Sequence, residues 1–253
     1  MFSTVLGYRI RAYATCLLLG APLWAQDPSA ERIQSLERKI AEQARSLRDY
    51  GGQLRYGSDN TELPEPAAGE NRVVFFGDQI TEFWGRGETP LFPGKPWLNR
   101  GIAGQTTDQM LVRFRQDVIS LHPKVVVILG GLNDIAGVHG VSPEETILDN
   151  LISMAELARV NGIRVVLASV TPVCDCFTKR IARQRWLGRI RELNQEIREY
   201  SANNGIAYLD YYAAMARDGE LKSELTVDGV IPNDAGYGVM ATLARKVIAE
   251  VLK

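Results

Sequence analysis

Side chains that could bind or act on a ligand stand in four short polar blocks of this sequence. The blocks lie directly after apolar runs or before the last helical segment, and they span residues 77–81, 99–104, 131–134 and 228–233. In an open sheet of parallel strands, ligands bind outside the carboxyl ends of the strands. We therefore expect the four blocks to converge on one binding or catalytic pocket.

Three of the blocks contribute a carboxylate, at Asp78, Asp134 and Asp228. Aspartate is favoured in turns and at helix N-termini, because its side chain accepts hydrogen bonds from nearby backbone N–H groups. We expect this turn or capping role for Asp78 and Asp134.

In order and spacing, the four blocks resemble those of the SGNH (GDSL-type) hydrolases, most closely the bacterial members related to platelet-activating-factor acetylhydrolase. The resemblance covers residues 47–253 and implies ester hydrolysis by a Gly-Asp-Ser nucleophile block. It further implies that the Gly104 backbone N–H and the Asn133 amide are oxyanion donors. In the family's last block, Asp-x-x-His-Pro, Asp228 would orient the histidine base.

Two departures from this pattern decide the predicted function. Gln79 stands at the nucleophile's position and Ile231 at the base's position. A carboxamide is a poor nucleophile and isoleucine carries no proton, so only weak residual catalysis is expected. Asp228 then needs a new partner, and the Gln79 NH₂ group is long enough to reach toward it. We expect no catalytic competence at the degenerate positions Asp78, Gln79, Gly104, Asn133, Asp228 and Ile231.

Three other residues could substitute for the missing groups, and all are expected at the site end of the sheet. A thiolate at Cys174 or Cys176, with His139 as base, would restore nucleophilic catalysis, although an exposed loop histidine is the simpler interpretation of His139. The two cysteines could form a short disulfide or remain free thiols, and both alternatives stay open. No metal-ligand spacing is present in the sequence, and no cofactor is implied.

Alternating strand and helix signals position these blocks. Continuous apolar runs occur at residues 72–76, 124–129, 163–168 and 206–209, with a weaker one at 97–99. Continuous runs are typical of parallel strands that are covered on both faces. We predict an α/β fold, with a doubly wound (flavodoxin-like) parallel five-stranded sheet in three α/β/α layers.

Capping residues predict where several helices begin and end. Ser142 is expected as the N-cap of a helix with Pro143 at its first position, and Asn161-Gly162 should end that helix. Asn233 should cap the final helix. The buried side of that helix is expected to contain Tyr237, Met240, Leu243, Ala244, Val247, Ile248 and Val251.

The N-terminal region divides into three predicted parts. Residues 1–25 form a signal peptide: Arg9 and Arg11 precede a short apolar stretch that contains Cys16, and cleavage is expected after Ala25. Residues 26–70 form an N-terminal helix and a linker, and 71–253 form the SGNH hydrolase-like domain. The helix, over residues 27–50, has apolar residues at heptad-like offsets over less than three heptads, which is too short to indicate a coiled coil. We expect it to pack on the domain or on a partner chain, and oligomers could form through it. Residues 58–70 are predicted to be a loop or linker. The heptad-like positions are Ile33, Leu36, Ile40 and Leu47.

These observations predict an exported protein, periplasmic or extracellular, without stable membrane insertion after cleavage. The formal net charge of −1 gives no indication of nucleic acid binding. We predict a catalytically impaired pseudo-esterase that binds a small molecule, a glycan or an acyl ester. Two alternatives remain: an active GDSL-type esterase with a relocated nucleophile or base, and a helix-mediated interaction protein. The basic segment 179–198 is interpreted as a solvated helix face, or else as a rim that attracts an anionic ligand.

Overall fold

A computed structural model describes residues 28–88, 91–140, 142–177 and 181–253 of the chain. It divides into two units, Met1–Arg48 and Asp49–Lys253. The predicted signal peptide, with Arg9, Arg11 and Cys16, lies outside the described residues. Among the helices of the described ranges, none is both long and apolar enough to cross a membrane.

Five parallel strands form the central sheet, in the order β2-β1-β3-β4-β5. They are β1 (Val73–Gly77), β2 (Trp97–Gly101), β3 (Val125–Leu129), β4 (Arg164–Ala168) and β5 (Ala207–Leu209). Every residue of β1 and β3 is buried, as expected for strands covered on both faces. The prediction of a doubly wound five-stranded sheet is confirmed. Because β1 lies between β2 and β3, the direction of winding reverses at β1, and such switch points are where these sheets bind ligands.

Helices connect the strands. They are α1 (Pro28–Arg48), α2 (Gly57–Glu62), α3 (Gln79–Glu82), α4 (Thr107–Asp117), α5 (Leu132–Ala136), α6 (Glu144–Val160), α7 (Ile181–Asn204), α8 (Tyr211–Met215) and α9 (Asp234–Val251). Short 3₁₀ turns lie at Ile119–Leu121 and Ser223–Leu225, and a small antiparallel hairpin pairs β6 (Ala216–Arg217) with β7 (Glu220–Leu221).

Two predicted helix starts have different outcomes. Asn233 caps α9 as expected, because its side-chain oxygen accepts a hydrogen bond from the Gly236 N–H at 3.0 Å. The prediction for α6 was wrong by one residue. Pro143, not Ser142, takes the N-cap position, since its backbone is still extended (ψ 148°) and the helix begins at Glu144.

The segment between α1 and β1 is only in part the loop or linker that its composition predicted, since residues 63–72 contain no helix or strand but the residues before them do. Residues 57–62 form α2, whose Asn60 amide donates to Asp117 at 2.6 Å while the Asn60 oxygen accepts from Arg100 at 2.8 Å. Tyr56 adds a hydrogen bond from its hydroxyl to the Gly101 carbonyl at 2.5 Å. Polar contacts hold this segment on the domain, which explains why a search for apolar periodicity missed it. The domain unit accordingly begins at Asp49, whereas we expected it to begin at residue 71.

Candidate functional site

A tight turn brings Gln79 to the carboxyl end of β1. A Cβ atom on Gly77 would lie 2.3 Å from Thr81 Oγ1 and 2.5 Å from the Leu129 carbonyl oxygen, so only glycine fits there. Asp78 follows as the N-cap of α3 and accepts a hydrogen bond from the Ile80 N–H at 3.0 Å, as predicted. Gln79 is therefore the first residue of α3 and stands at the switch point of the sheet.

The side-chain oxygen of Gln79 accepts two hydrogen bonds that converge on it. The Gly104 backbone N–H donates at 3.1 Å and Asn133 Nδ2 donates at 2.7 Å. In return, Gln79 Nε2 donates to Asn133 Oδ1 at 3.1 Å. Gly104 and Asn133 are the two residues for which the family resemblance implied a donor role. The Gln79 oxygen thus lies where this pair of donors would hold the oxygen of a substrate.

Both donors are fixed by the surrounding structure. Gly104 has a φ of +80°, which glycine adopts without strain, and this conformation directs its N–H toward Gln79. Asn133 is buried at the start of α5, and its Nδ2 also donates to the Gln105 carbonyl at 2.8 Å. The donors are held in place before any ligand arrives, and the chain's own carboxamide satisfies them.

Asp134 has the capping role that we expected, but it caps a helix from another part of the chain. Its carboxylate accepts hydrogen bonds from the Thr107 N–H at 3.1 Å and from Thr107 Oγ1 at 2.7 Å. It therefore caps the start of α4, a helix distant in sequence, rather than its own turn. Burial raises the pKa of Asp134, and burial raises the pKa of Asp78 to about 7, with the nearby Asp134 charge acting in the same direction.

Arg113 is a buried residue that the sequence reasoning missed. Its guanidinium donates to the carbonyls of Gly77 and Arg100, to the side-chain oxygen of Gln105 and to Asp117, at 2.6–3.0 Å. It therefore ties the ends of β1 and β2 to α4, and its contact at Gly77 lies two residues before Gln79. The available signal was an arginine on the inward side of α4 followed by an aspartate four residues later.

Asp228 does not receive the Gln79 amide, so that expectation was wrong. Gln79 Nε2 is engaged by Asn133, and the exposed Asp228 accepts from the backbone N–H groups of Val230 and Ile231 at 2.9 and 2.8 Å. Asp228 thus stabilises the turn that carries Ile231. An Asn or Asp side chain readily folds back on its own backbone in this way.

Ile231 lies beside the helix that carries Gln79. It is half-buried and lines a cavity of about 190 Å³ together with Phe83, at the end of α3, and Tyr237, on α9. The Tyr237 hydroxyl donates to the Ile80 carbonyl at 2.9 Å and so fixes α9 against α3. The other residues lining the cavity are Gly87, Val227, Pro232, Asn233 and Asp234.

The three residues considered as substitutes for the nucleophile and base are a disulfide-bonded pair of cysteines and an exposed histidine. Cys174 and Cys176 form a disulfide, so in this oxidised state neither offers a thiolate. His139 is exposed in the loop after α5. The Cys174 N–H donates to the Gly229 carbonyl at 2.9 Å and thereby supports the Ile231 turn. Within the described ranges, no group of three or more His, Cys, Asp or Glu side chains could hold a metal ion.

The basic residues of α7 are partly structural. Arg189 donates to the carbonyls of Ile135 and Ser142 at 3.2 and 2.9 Å. Arg198 pairs with Asp210 beside a second cavity, of about 240 Å³, which Arg191 also lines. Lys179 and Arg180 lie outside the described residues. An anion-attracting rim at this position stays a prediction.

Comparison with known proteins adds an independent line of evidence. Residues 75–239 match the model of the GDSL-like Lipase/Acylhydrolase family. Two solved structures are each 38% identical to this chain. An acylhydrolase-like protein from Bacteroides fragilis NCTC 9343 has a TM-score of 0.76 over 81% of this chain and 99% of its own. A GDSL-like lipase from Bacteroides thetaiotaomicron VPI-5482 has a TM-score of 0.75 over 79% and 98%.

A curated relative matches over a shorter stretch. The uncharacterized lipoprotein YqeF of Bacillus subtilis (strain 168) is 35% identical over 81 residues, which is 31% of this chain. The matched stretch spans 33% of that lipoprotein's length.

Proposed function

Because the chain belongs to the GDSL-like lipase/acylhydrolase family, we propose that it is an exported member with lost or strongly impaired ester hydrolysis, whose altered site binds a carbohydrate or acyl-ester ligand. One observation carries the proposal: the Gln79 oxygen accepts the hydrogen bonds of Gly104 and Asn133. The donors that would stabilise a tetrahedral intermediate are already satisfied by the chain itself.

Three physical consequences follow for the chemistry. An ester carbonyl would have to displace the Gln79 oxygen before it could use the two donors. No hydroxyl or thiolate stands at the nucleophile's position to attack it. Ile231 cannot accept or return a proton, so the steps that a nucleophile and base share would fail together.

The cavity beside Ile231 supports ligand binding without turnover. Phe83, Val227 and Ile231 give it apolar walls, while Asn233 and Asp234 give it a polar edge. An acyl chain or the C–H face of a sugar can pack on such walls, and hydroxyl or ester oxygens can face the polar edge. Replacement of a histidine by isoleucine enlarges the apolar part of such a site.

Export is supported by two separate observations. Arg9 and Arg11 precede the short apolar stretch that ends at Trp24, a pattern typical of a cleaved signal. The relative YqeF is a lipoprotein, although it matches over only 81 residues. We include a periplasmic or extracellular location in the proposal on this basis.

Hydrolysis of p-nitrophenyl acetate tests the loss of activity. The native chain should act no faster than its heat-denatured control, and Gln79→Ser combined with Ile231→His should gain measurable turnover. Neither single substitution should gain it, because a serine needs a base and a histidine needs a nucleophile to activate. Gln195→Ser combined with Val160→His, at exposed positions on α7 and α6, controls for background hydrolysis by an added histidine.

Robust turnover by the native chain would overturn the impaired-enzyme proposal. If that turnover survived Gln79→Ala and disappeared in His139→Ala or Cys174→Ala, a relocated nucleophile or base would take its place.

Ligand binding is tested separately from hydrolysis. Methyl butyrate and methyl glucoside would be titrated into the isotope-labelled protein, with NMR shifts followed for residues around Ile231. Val227 is 61% exposed at the cavity, and Val227→Asp should weaken binding, whereas Val160→Asp, at a position 87% exposed on α6, should not. Shifts that are absent, or unaffected by Val227→Asp, would remove this cavity from the proposal.

A further inference from the structure

The helix α1 exposes a line of large apolar side chains. Ile33, Leu36, Ile40 and Leu47 are 56%, 50%, 63% and 75% exposed. In proteins, most of the stability of a helix such as α1 comes from packing of its apolar face rather than from its own hydrogen bonds. A stable α1 therefore requires a surface that covers these side chains.

The spacing of the four residues restricts what that surface can be. They fall on positions a, d, a and a of a heptad pattern, with Gln43 at the intervening d position. Charged residues border the line directly, at Arg32, Glu37 and Lys39. A narrow a/d line is the seam of a coiled coil, whereas a helix that packs on a core or lies in a membrane surface needs a wider apolar face.

The charged residues beside the seam can pair with opposite charges of a second copy of α1 when the two helices are parallel. In a parallel pair, position g of one helix faces position e of the following heptad on the other helix, which brings Arg32 of each copy to Glu37 of the other. In an antiparallel pair, g faces g and e faces e, so no register brings Arg32 or Lys39 to Glu37 of the other copy. Among parallel coiled coils, isoleucine at a with leucine at d, as at Ile33, Leu36 and Ile40, favours two strands.

The seam stops where the domain begins. Tyr50 occupies the next d position after Leu47, but it belongs to the domain unit. Its hydroxyl bonds to Asp108 and its carbonyl accepts from Gln109 Nε2 at 3.0 Å. The heptad pattern thus ends at Arg48, where the first of the two units also ends.

We propose that α1 associates with α1 of a second copy of this chain as a parallel two-stranded coiled coil. Its few heptads and the polar Gln43 make the dimer weak and concentration-dependent. This association is independent of whether the altered site binds a ligand.

Sedimentation velocity of the chain from residue 26 onward, over a range of concentrations at low salt, measures the dimer. Ile40→Lys places charge in the seam and should raise the dissociation constant at least about tenfold. Ala41→Lys adds the same charge one residue away, on the outer side of the helix, and should change it little. A native chain that stays monomeric at all concentrations, or equal effects of the two substitutions, would overturn the proposal.

Charge reversal tests the orientation. Arg32→Glu and Glu37→Arg should each weaken the dimer about three- to tenfold, since each brings like charges together twice per dimer, and the double reversal should restore it. Ile33→Cys should also cross-link to itself under mild oxidation much faster than Gln34→Cys, because only parallel helices place position 33 against its own copy. A double reversal without rescue, or no preference for Ile33→Cys, would refute the parallel arrangement.

Binding to lipid vesicles tests the alternative that a membrane surface, rather than a second copy, covers the apolar residues of α1. Anionic phosphatidylglycerol vesicles and neutral phosphatidylcholine vesicles should not sediment the native chain. If they do, and Ile40→Lys abolishes that binding while the free chain is monomeric, α1 covers its seam with a membrane surface and the dimer proposal is wrong.

Discussion

Removal of the Gln79 carboxamide should destabilise the fold by a measurable amount. Gln79→Ala deletes two hydrogen bonds that the side chain accepts and one that it donates. A typical hydrogen bond contributes about 1 kcal/mol net, and water can reach part of this half-buried site. We therefore expect a loss of about 1–2 kcal/mol in the free energy of unfolding. For a domain of this size, that lowers the melting temperature by about 2–8 °C.

Urea unfolding of three proteins measures the effect: the native chain, Gln79→Ala and Gln79→Glu. The glutamate variant is the matched case, because its carboxylate still accepts from the Gly104 N–H and Asn133 Nδ2 but cannot donate to Asn133 Oδ1. At pH 8 its loss of stability should be smaller than that of the alanine variant. Comparison of the two variants thus separates the accepted hydrogen bonds from the donated one.

Two results would refute this reasoning. An alanine variant as stable as the native chain would mean that water replaces the carboxamide at no cost. A glutamate variant that loses as much as the alanine variant would mean that the Gly104 and Asn133 donors do not act on residue 79. The second result would also remove the observation on which the proposed loss of esterase activity rests.

Three further predictions concern buried charge and export. Burial raises the pKa of Asp78 to about 7, above its ordinary 3.8, so the protonated form stabilises the fold fully below pH 3.8 and that contribution is lost as the pH rises through 7. Asp78→Asn keeps the N-cap hydrogen bond and should raise the free energy of unfolding at pH 8 by at most about 4 kcal/mol. Urea titrations should show this gain vanish near pH 4. A gain that does not depend on pH would contradict the prediction. Arg113→Met leaves the buried Asp117 without its cation and should cost about 3–5 kcal/mol by thermal unfolding, part of which Asp117→Asn should restore. Protein recovered from the native host should begin near Gln26 by N-terminal sequencing, and an intact Met1 would rule out cleavage.

The sheet could be predicted because its strands are specified locally. The continuous apolar runs in β1 and β3 are suited to strands that are covered by helices on both faces. The apolar run at residues 206–209 ends at the same residue as β5. The final helix could be predicted equally well, because Asn233 caps it and its inward-facing residues recur with a helical period.

The parts that sequence reasoning missed depend on contacts between distant residues. Helix α2 has no apolar face and is held by polar contacts such as Asn60 with Asp117. The sequence alone allowed Gln79 to bond to Asp228. Gln79 bonds to Gly104 and Asn133 instead, because the loops after β2 and β3 meet at its side chain. The role of Arg113 depends on carbonyls at the ends of two neighbouring strands, which no local pattern encodes.

The Gln79 carboxamide also constrains which residues this position can accept. Serine at position 79 would be too short to make the three hydrogen bonds of Gln79 with Gly104 and Asn133, so that substitution alone should lose stability. On the proposed function, it would gain no hydrolysis while Ile231 remains, and histidine at position 231 would gain none while Gln79 remains. Hydrolysis would then lie two substitutions away from this sequence, and selection for hydrolysis could reward neither substitution alone.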